Sequence, residues 1–181
     1  MDVEEHITLI SMSGMKWQNH KIVTAGVIYS LTGGMVAALA AMAGSVLPDV
    51  LEFRGLIRHR TITHSLWGWL AICLGVWFSF NRSGSSSITL YLIFFLAAGA
   101  VMHICEDALS IGGIPLKTPF GQSIGLKIYK TGTISEEVTV VGLIVIFATI
   151  AWVRGFFAAG YFQQQFAEVW DVIGGLFHVW S

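Results

Sequence analysis

Six side chains of metal-ligating type stand where this chain changes character. Asp49 closes an apolar stretch, and His59 and His64 lie in the short polar connection after it. His103 and Asp107 are four apart near the end of another apolar stretch, and Glu136 opens the last one. Histidine and carboxylate together suit zinc, and also manganese or iron, far better than calcium or copper. A divalent ion held this way activates water for hydrolysis. In a greasy chain such polar groups are costly to bury, which makes them functional candidates.

Spacing says how each pair could meet. His103 and Asp107 leave the same face of a helix at i and i+4 and can share a metal; the same spacing also suits a buried His–Asp hydrogen bond. His59 and His64 are five apart and would diverge on one helix. They meet a common centre only if a helix begins between them, with Thr63 as N-cap and His64 in the first turn. Asp49 follows Pro48 and could simply end a helix, and Glu136 could simply face a helix N-terminus.

The elements that must position these groups are membrane elements. Of the 181 residues, 55% are hydrophobic and 12% charged, and the mean hydropathy is +0.71. Soluble domains carry about 25% charged residues, so the composition places the chain in the membrane class and leaves no room for a second soluble domain. A net charge of −1 supplies no basic field, so no nucleic-acid partner is expected. Cys73 and Cys105 fall inside apolar segments without a CxxC and read as small core residues, neither disulfide nor thiolate site. Met1–Trp17 begins with acidic residues and lacks a basic stretch before an apolar run, so it does not read as a cleavable signal peptide.

Spanning hydrocarbon takes about 20 apolar residues. Ser65–Phe80, Ile88–Ile111 and Val138–Gly160 come close enough to cross, with Arg154 placed to snorkel to headgroups. Ile22–Leu47 is ambiguous, because Thr32-Gly33-Gly34 interrupts it. A straight helix there puts His20 across the membrane from Asp49; a re-entrant hairpin puts them side by side. After Gly160, the spacing of Phe162, Phe166, Val169, Trp170, Ile173, Phe177 and Trp180 predicts an amphipathic helix, interfacial or packed on the others. The expectation is an all-α integral membrane protein. Three full spans join an N-terminal broken hairpin, or four spans in all, with residues 1–160 as one domain and 161–181 as the tail helix. Arg54, Arg58, Arg60, Lys117, Lys127 and Lys130 lie in the ligand-bearing connections, against Arg82 and Arg154 opposite, which turns the site toward the cytoplasm.

Read together, the motifs resemble the YdjM-like family of inner-membrane, membrane-bound metal-dependent hydrolases, also labelled LexA-binding. The matching pieces are Asn19-His20-Lys21, Val46-Leu47-Pro48-Asp49, His59-Arg60-Thr61-Ile62-Thr63-His64-Ser65-Leu66, His103-Ile104-Cys105-Glu106-Asp107, Gly113-Ile114-Pro115-Leu116 with Pro119, and Gly132-Thr133-Ile134-Ser135-Glu136. The resemblance runs from about residue 19 to 140. It implies a bacterial inner-membrane protein with one or two divalent ions, zinc first, and hydrolase activity distantly similar to zinc-dependent phospholipase C. It also implies His20, Asp49, His64, His103, Asp107 and Glu136 as ligands, with His59 a ligand or a group behind one. The family commonly reads LPDxD, and Leu51 stands here in place of the second aspartate, followed by Glu52. A second ion depends on that position.

The expected activity is hydrolysis of a phosphoester on a lipid or other membrane-associated substrate. Asp49 or Glu136 would be the base, and Arg58 and Arg60 the phosphate-binding groups, unless these arginines only mark the cytoplasmic side. The alternative is a regulatory or assembly protein, as a homo-oligomer or in a membrane complex, with a structural or vestigial metal site. A metal carrier would need ligands along a path between the two faces, whereas these gather on one.

Overall fold

The computed structural model describes residues 15–52, 62–83, 87–116 and 121–178. His59, Arg58 and Arg60, along with Met1–Gly14, lie outside the described residues. The described residues are mostly helical. In chain order come α1 (Trp17–Thr32), α2 (Met35–Gly44), a short α3 (Leu47–Val50), a 3₁₀ turn (Ile62–His64), α4 (Leu66–Ser83), α5 (Ile88–Leu109), α6 (Ile134–Val153) and α7 (Ala159–His178).

The ambiguous first region resolves as a hairpin. Gly33 adopts φ 71°, the left-handed conformation that ends a helix, and its N–H donates to Tyr29 O at 2.7 Å. The straight-helix alternative is thereby excluded, and α2 folds back onto α1.

α2 then crosses α5 at backbone contact distance. A Cβ added at Gly99 would lie 2.0 Å from Ala41 O, and one at Gly44 would lie 2.0 Å from Leu96 O. Ala37, Ala41, Ala97 and Ala100, all buried, complete the small-residue seam. Such seams let helices approach closely where lipid supplies no hydrophobic drive between them. Larger side chains wedge around it, with Ile28 packed by Tyr91, Phe95 and Met102.

Two helices, α5 and α6, are long and apolar enough to cross a membrane. Only 28% and 17% of their apolar windows are buried, so they are not core helices of a soluble protein, which would hide most of that surface. α6 starts at Ile134, four residues before the expected span, which puts Glu136 in its first turn. It ends at Val153 and Gly155 adopts φ 77°. The exposed Arg154 guanidinium donates to Ser30 O (2.8 Å) and Leu31 O (2.7 Å), the open end of α1, and lies over the Phe156 ring.

One further expectation needs correction. Cys105 is exposed on α5 and Cys73 is half-buried, so neither is a core residue. The fold is all-helical as expected, apart from a two-residue antiparallel pair, Ile114–Pro115 with Ser123–Ile124. This connection folds over the end of α5 and takes up its last carbonyls. Leu126 N donates to Ala108 O, Ile128 N to Leu109 O, and Tyr129 Oη to Glu106 O. Gly113 and Gly125 pack backbone to backbone here, with no space for a Cβ at either.

α7 is amphipathic, as its spacing predicts. Phe162, Phe166, Trp170 and Ile173 form an exposed stripe, while Gln165 Oε1 accepts the Met35 N–H that opens α2.

Candidate metal centre

The hairpin, the crossing at Gly99 and the 3₁₀ turn bring five donors from distant parts of the chain into one buried cluster. His20 comes from the first turn of α1, Asp49 from α3, His64 from the 3₁₀ turn, and His103 and Asp107 from the last turns of α5. All but Asp49 are fully buried, and the Asp49 side chain keeps 14% exposure.

His64 Nε2 lies 3.2 Å from His103 Nε2 and 3.3 Å from Asp49 Oδ1, and His103 Nε2 lies 3.5 Å from the same oxygen. Asp107 Oδ2 is 3.8 Å from His64 Nε2 and 3.9 Å from His103 Nε2. Tetrahedral zinc with ordinary bond lengths sets its donors about 3.3–3.5 Å apart. The three edges among His64, His103 and Asp49 come close to this, while Asp107 stands farther out and falls in a separate donor set with His20 and His103. The other oxygen of Asp107 faces His20 Nε2 at 3.6 Å, so this carboxylate lies between two histidine groups. Two overlapping sets, His20/His103/Asp107 and Asp49/His64/His103, each bring their donor atoms within 4.8 Å.

Do these residues fit an ion? His20 Nε2 and Asp49 Oδ1 are buried without a hydrogen-bond partner, although both face other donors at 3–4 Å. Buried polar atoms are almost always satisfied, and lone pairs converging on one point are what a cation satisfies. The residues fit.

Electrostatics couple the two donors outside the spans. Burial pulls the His64 imidazole down, but the carboxylates of Asp49 and Glu52 beside it outweigh that and push it up to about 9. Burial raises Asp49, and the imidazoles of His103 and His64 at 3.5 and 3.3 Å overcome it, leaving the carboxyl well below its ordinary value. Asp49 is therefore held as a carboxylate, which suits a ligand more than a base.

Glu136 is placed differently from the other expected ligands. It accepts Asn19 Nδ2 (2.6 Å) and Lys16 N (3.0 Å) on Oε1, and Gly132 N (2.7 Å) on Oε2. Its charge thus faces the N-termini of both α1 and α6, and it joins neither donor set. Beside it, Lys16 Nζ pairs with Glu137 at 2.9 Å on the surface, and that hydrogen bond raises the lysine pKa. Thr63 is not the helix cap the sequence suggests. α4 starts at Leu66, Ser65 Oγ accepts Gly68 N, and Thr63 Oγ1 donates instead to Glu52 at 3.2 Å.

Two residues at the cluster escape motif reading. Glu106 Oε2 lies 2.6 Å from His20 Nδ1 while its Oε1 accepts Thr24 Oγ1 at 2.9 Å, and Glu52 Oε1 lies 3.1 Å from His64 Nδ1. Only the sequence neighbourhood of each, beside Asp107 and near Asp49, could have pointed to them.

The profile of the YdjM inner membrane protein family matches residues 15–170. The chain belongs to this family. The match covers every described donor, from His20 to Glu136, and agrees with the membrane class read from α5 and α6. No curated protein and no solved structure matches the chain.

Proposed function

We propose that this member of the YdjM family is a membrane-embedded, metal-dependent hydrolase acting on a phosphoester at the membrane surface. The observation that carries the reading is the buried His20/Asp49/His64/His103/Asp107 cluster, whose mixed histidine and carboxylate donors are those of hydrolytic metals. A bound divalent ion, zinc first and manganese or iron next, supplies Lewis acidity toward a phosphoryl oxygen and lowers the pKa of water. The chain's own residues do the rest. Either Asp49, His64 and His103 or His20, His103 and Asp107 would hold the ion, the two sets sharing His103. Asp49 is the one donor of the five that is not fully buried.

Neither carboxylate first considered as a base is a free one, because Asp49 is held ionised by two histidines and Glu136 accepts three hydrogen bonds. Arg58 and Arg60 remain the proposed phosphate groups, in the connection next to the site. A lipid substrate is supported by the connection over α5. Leu126 is 70% exposed and Ile128 is exposed too, with Lys127 and Lys130 beside them, a pairing suited to acyl chains and anionic headgroups. In this reading α4, α5 and α6 cross the inner membrane, α1 and α2 form a re-entrant hairpin, α7 lies in the opposite interface, and the site faces the cytoplasm. The likeness to zinc-dependent phospholipase C rests on donor types alone.

A second reading has its own observation. The His20/His103/Asp107 set is buried at every member, as in a closed site, which is the mark of a structural metal in a regulatory or assembly protein, as a homo-oligomer or within a complex. One experiment separates the two. Detergent-purified protein and a His64→Ala/Asp107→Ala variant are assayed for metal by mass spectrometry, then for phosphate release from phosphatidic acid and polyprenyl phosphate. Bound metal and metal-dependent release, both lost in the variant, are expected. Bound metal without release, and a cobalt(II) spectrum indifferent to added phosphate, would establish the structural reading.

A further inference from the structure

Two of the three clustered imidazoles carry a carboxylate on the nitrogen that faces away from the donors. His20 presents Nε2 to Asp107 while Nδ1 lies 2.6 Å from Glu106 Oε2. His64 presents Nε2 to His103 and Asp49 while Nδ1 lies 3.1 Å from Glu52 Oε1. His103 has no such partner, and its Nδ1 is without a hydrogen bond. A neutral imidazole carries one N–H, and whichever nitrogen donates it leaves the other as the ligand atom. A carboxylate on Nδ1 therefore fixes both the ring plane and the side on which the lone pair emerges.

We propose that Glu106 and Glu52 are positioning residues that hold His20 and His64 with Nδ1 donating and Nε2 aimed at the metal. The inference rests on the metal reading above and adds two residues to it. Glu106 is the more constrained. It is buried, it sits on α5 between His103 and Asp107, and its second oxygen is fixed by Thr24 from α1. One carboxylate thus ties the helix of His20 to the helix of two other ligands. Glu52 Oε1 also accepts the Thr63 hydroxyl at 3.2 Å, and that hydroxyl itself lies 3.2 Å from His64 Nδ1. The role of Glu52 answers what becomes of the carboxylate missing at Leu51. Glu52 does not replace a ligand; it stands behind one.

The test uses the full chain in detergent, with zinc affinity measured by chelator competition and cobalt(II) absorption recorded at saturation. Partners of this kind are worth about 10–100-fold in metal affinity. Glu106→Ala is expected to lose that much and to shift the cobalt bands, because His20 turns. Glu106→Gln should recover part of the loss, since its carbonyl still accepts the Nδ1 proton. Glu52→Ala should lose about tenfold or less. A purely structural role would lower the melting temperature of metal-free protein and leave the cobalt bands of saturated protein where they were. If Glu106→Ala does not fold, Glu106→Gln and Glu52→Ala decide, and wild-type zinc affinity in both overturns the proposal. Wild-type protein that binds no metal would instead overturn the metal centre itself, taking this inference with it.

Discussion

At its Thr32 end, α1 leaves carbonyls that Arg154 takes up from Ser30 and Leu31, while Tyr29 Oη donates to Phe156 O. At its His20 end the polar atoms are buried, and His20 Nε2 and Asp49 Oδ1 face other donors and acceptors at 3–4 Å without bonding them. One end pairs its polar groups with each other. The other leaves them converging on a point. Polarity alone does not mark a site, because both ends have it. The mark is polarity that the protein itself leaves unsatisfied.

The comparison breaks most decisively with metal. Zinc at a thousandfold excess over its Kd should stabilise the fold by about 4 kcal/mol. Detergent-phase melting would register this as a clear rise in Tm in the wild type and none in His64→Ala. Next in size is the crossing that sets the site end in place. Gly99→Leu forces a side chain into the Ala41 backbone and should cost about 3 kcal/mol or more. Gly142→Leu, on α6 with open space around it, should cost nothing measurable.

His103→Leu should abolish zinc binding and also lower metal-free stability by about 3–5 kcal/mol, because it takes a partner from the buried Asp49 carboxylate and from His64. Arg154→Ala should lower stability by about 1–2 kcal/mol through two lost carbonyl partners, with zinc stoichiometry unchanged by mass spectrometry.

The smallest effect is on pH. The folded-state pKa of His64 is raised to about 9 from an ordinary 6.5. Its stabilisation of metal-free protein is therefore full below pH 6.5 and lost as pH rises through about 9. Melting curves in chelator across that window should fall for wild type and stay flat for His64→Ala.

What the sequence made legible were features carried by short spacings. His103 and Asp107 meet because i and i+4 share a helix face, and Gly33-Gly34 breaks its helix because glycine tolerates positive φ. What it hid were partnerships across long separations. Glu106 finds His20 over 86 residues, and Glu136 finds Asn19 over 117, with nothing local to distinguish them from other carboxylates. The carbonyl bonds of Arg154 were hidden as well, because its position near a span end says nothing of where α1 stops. Gly44 and Gly99 carried no signal, since a glycine required by another backbone looks like any other. The roles of His59, Arg58 and Arg60 fall outside the described residues.

The tie between His20 and Glu106 also has a meaning in time. Chains are made at roughly 5–20 residues per second, so the first histidine of the cluster precedes the acid that orients it by on the order of ten seconds. During that interval the hairpin of α1 and α2 exists with His20 lacking its orienting carboxylate. The centre can therefore assemble only once α5 has been made, and anything that shelters the hairpin until then favours the yield of folded protein.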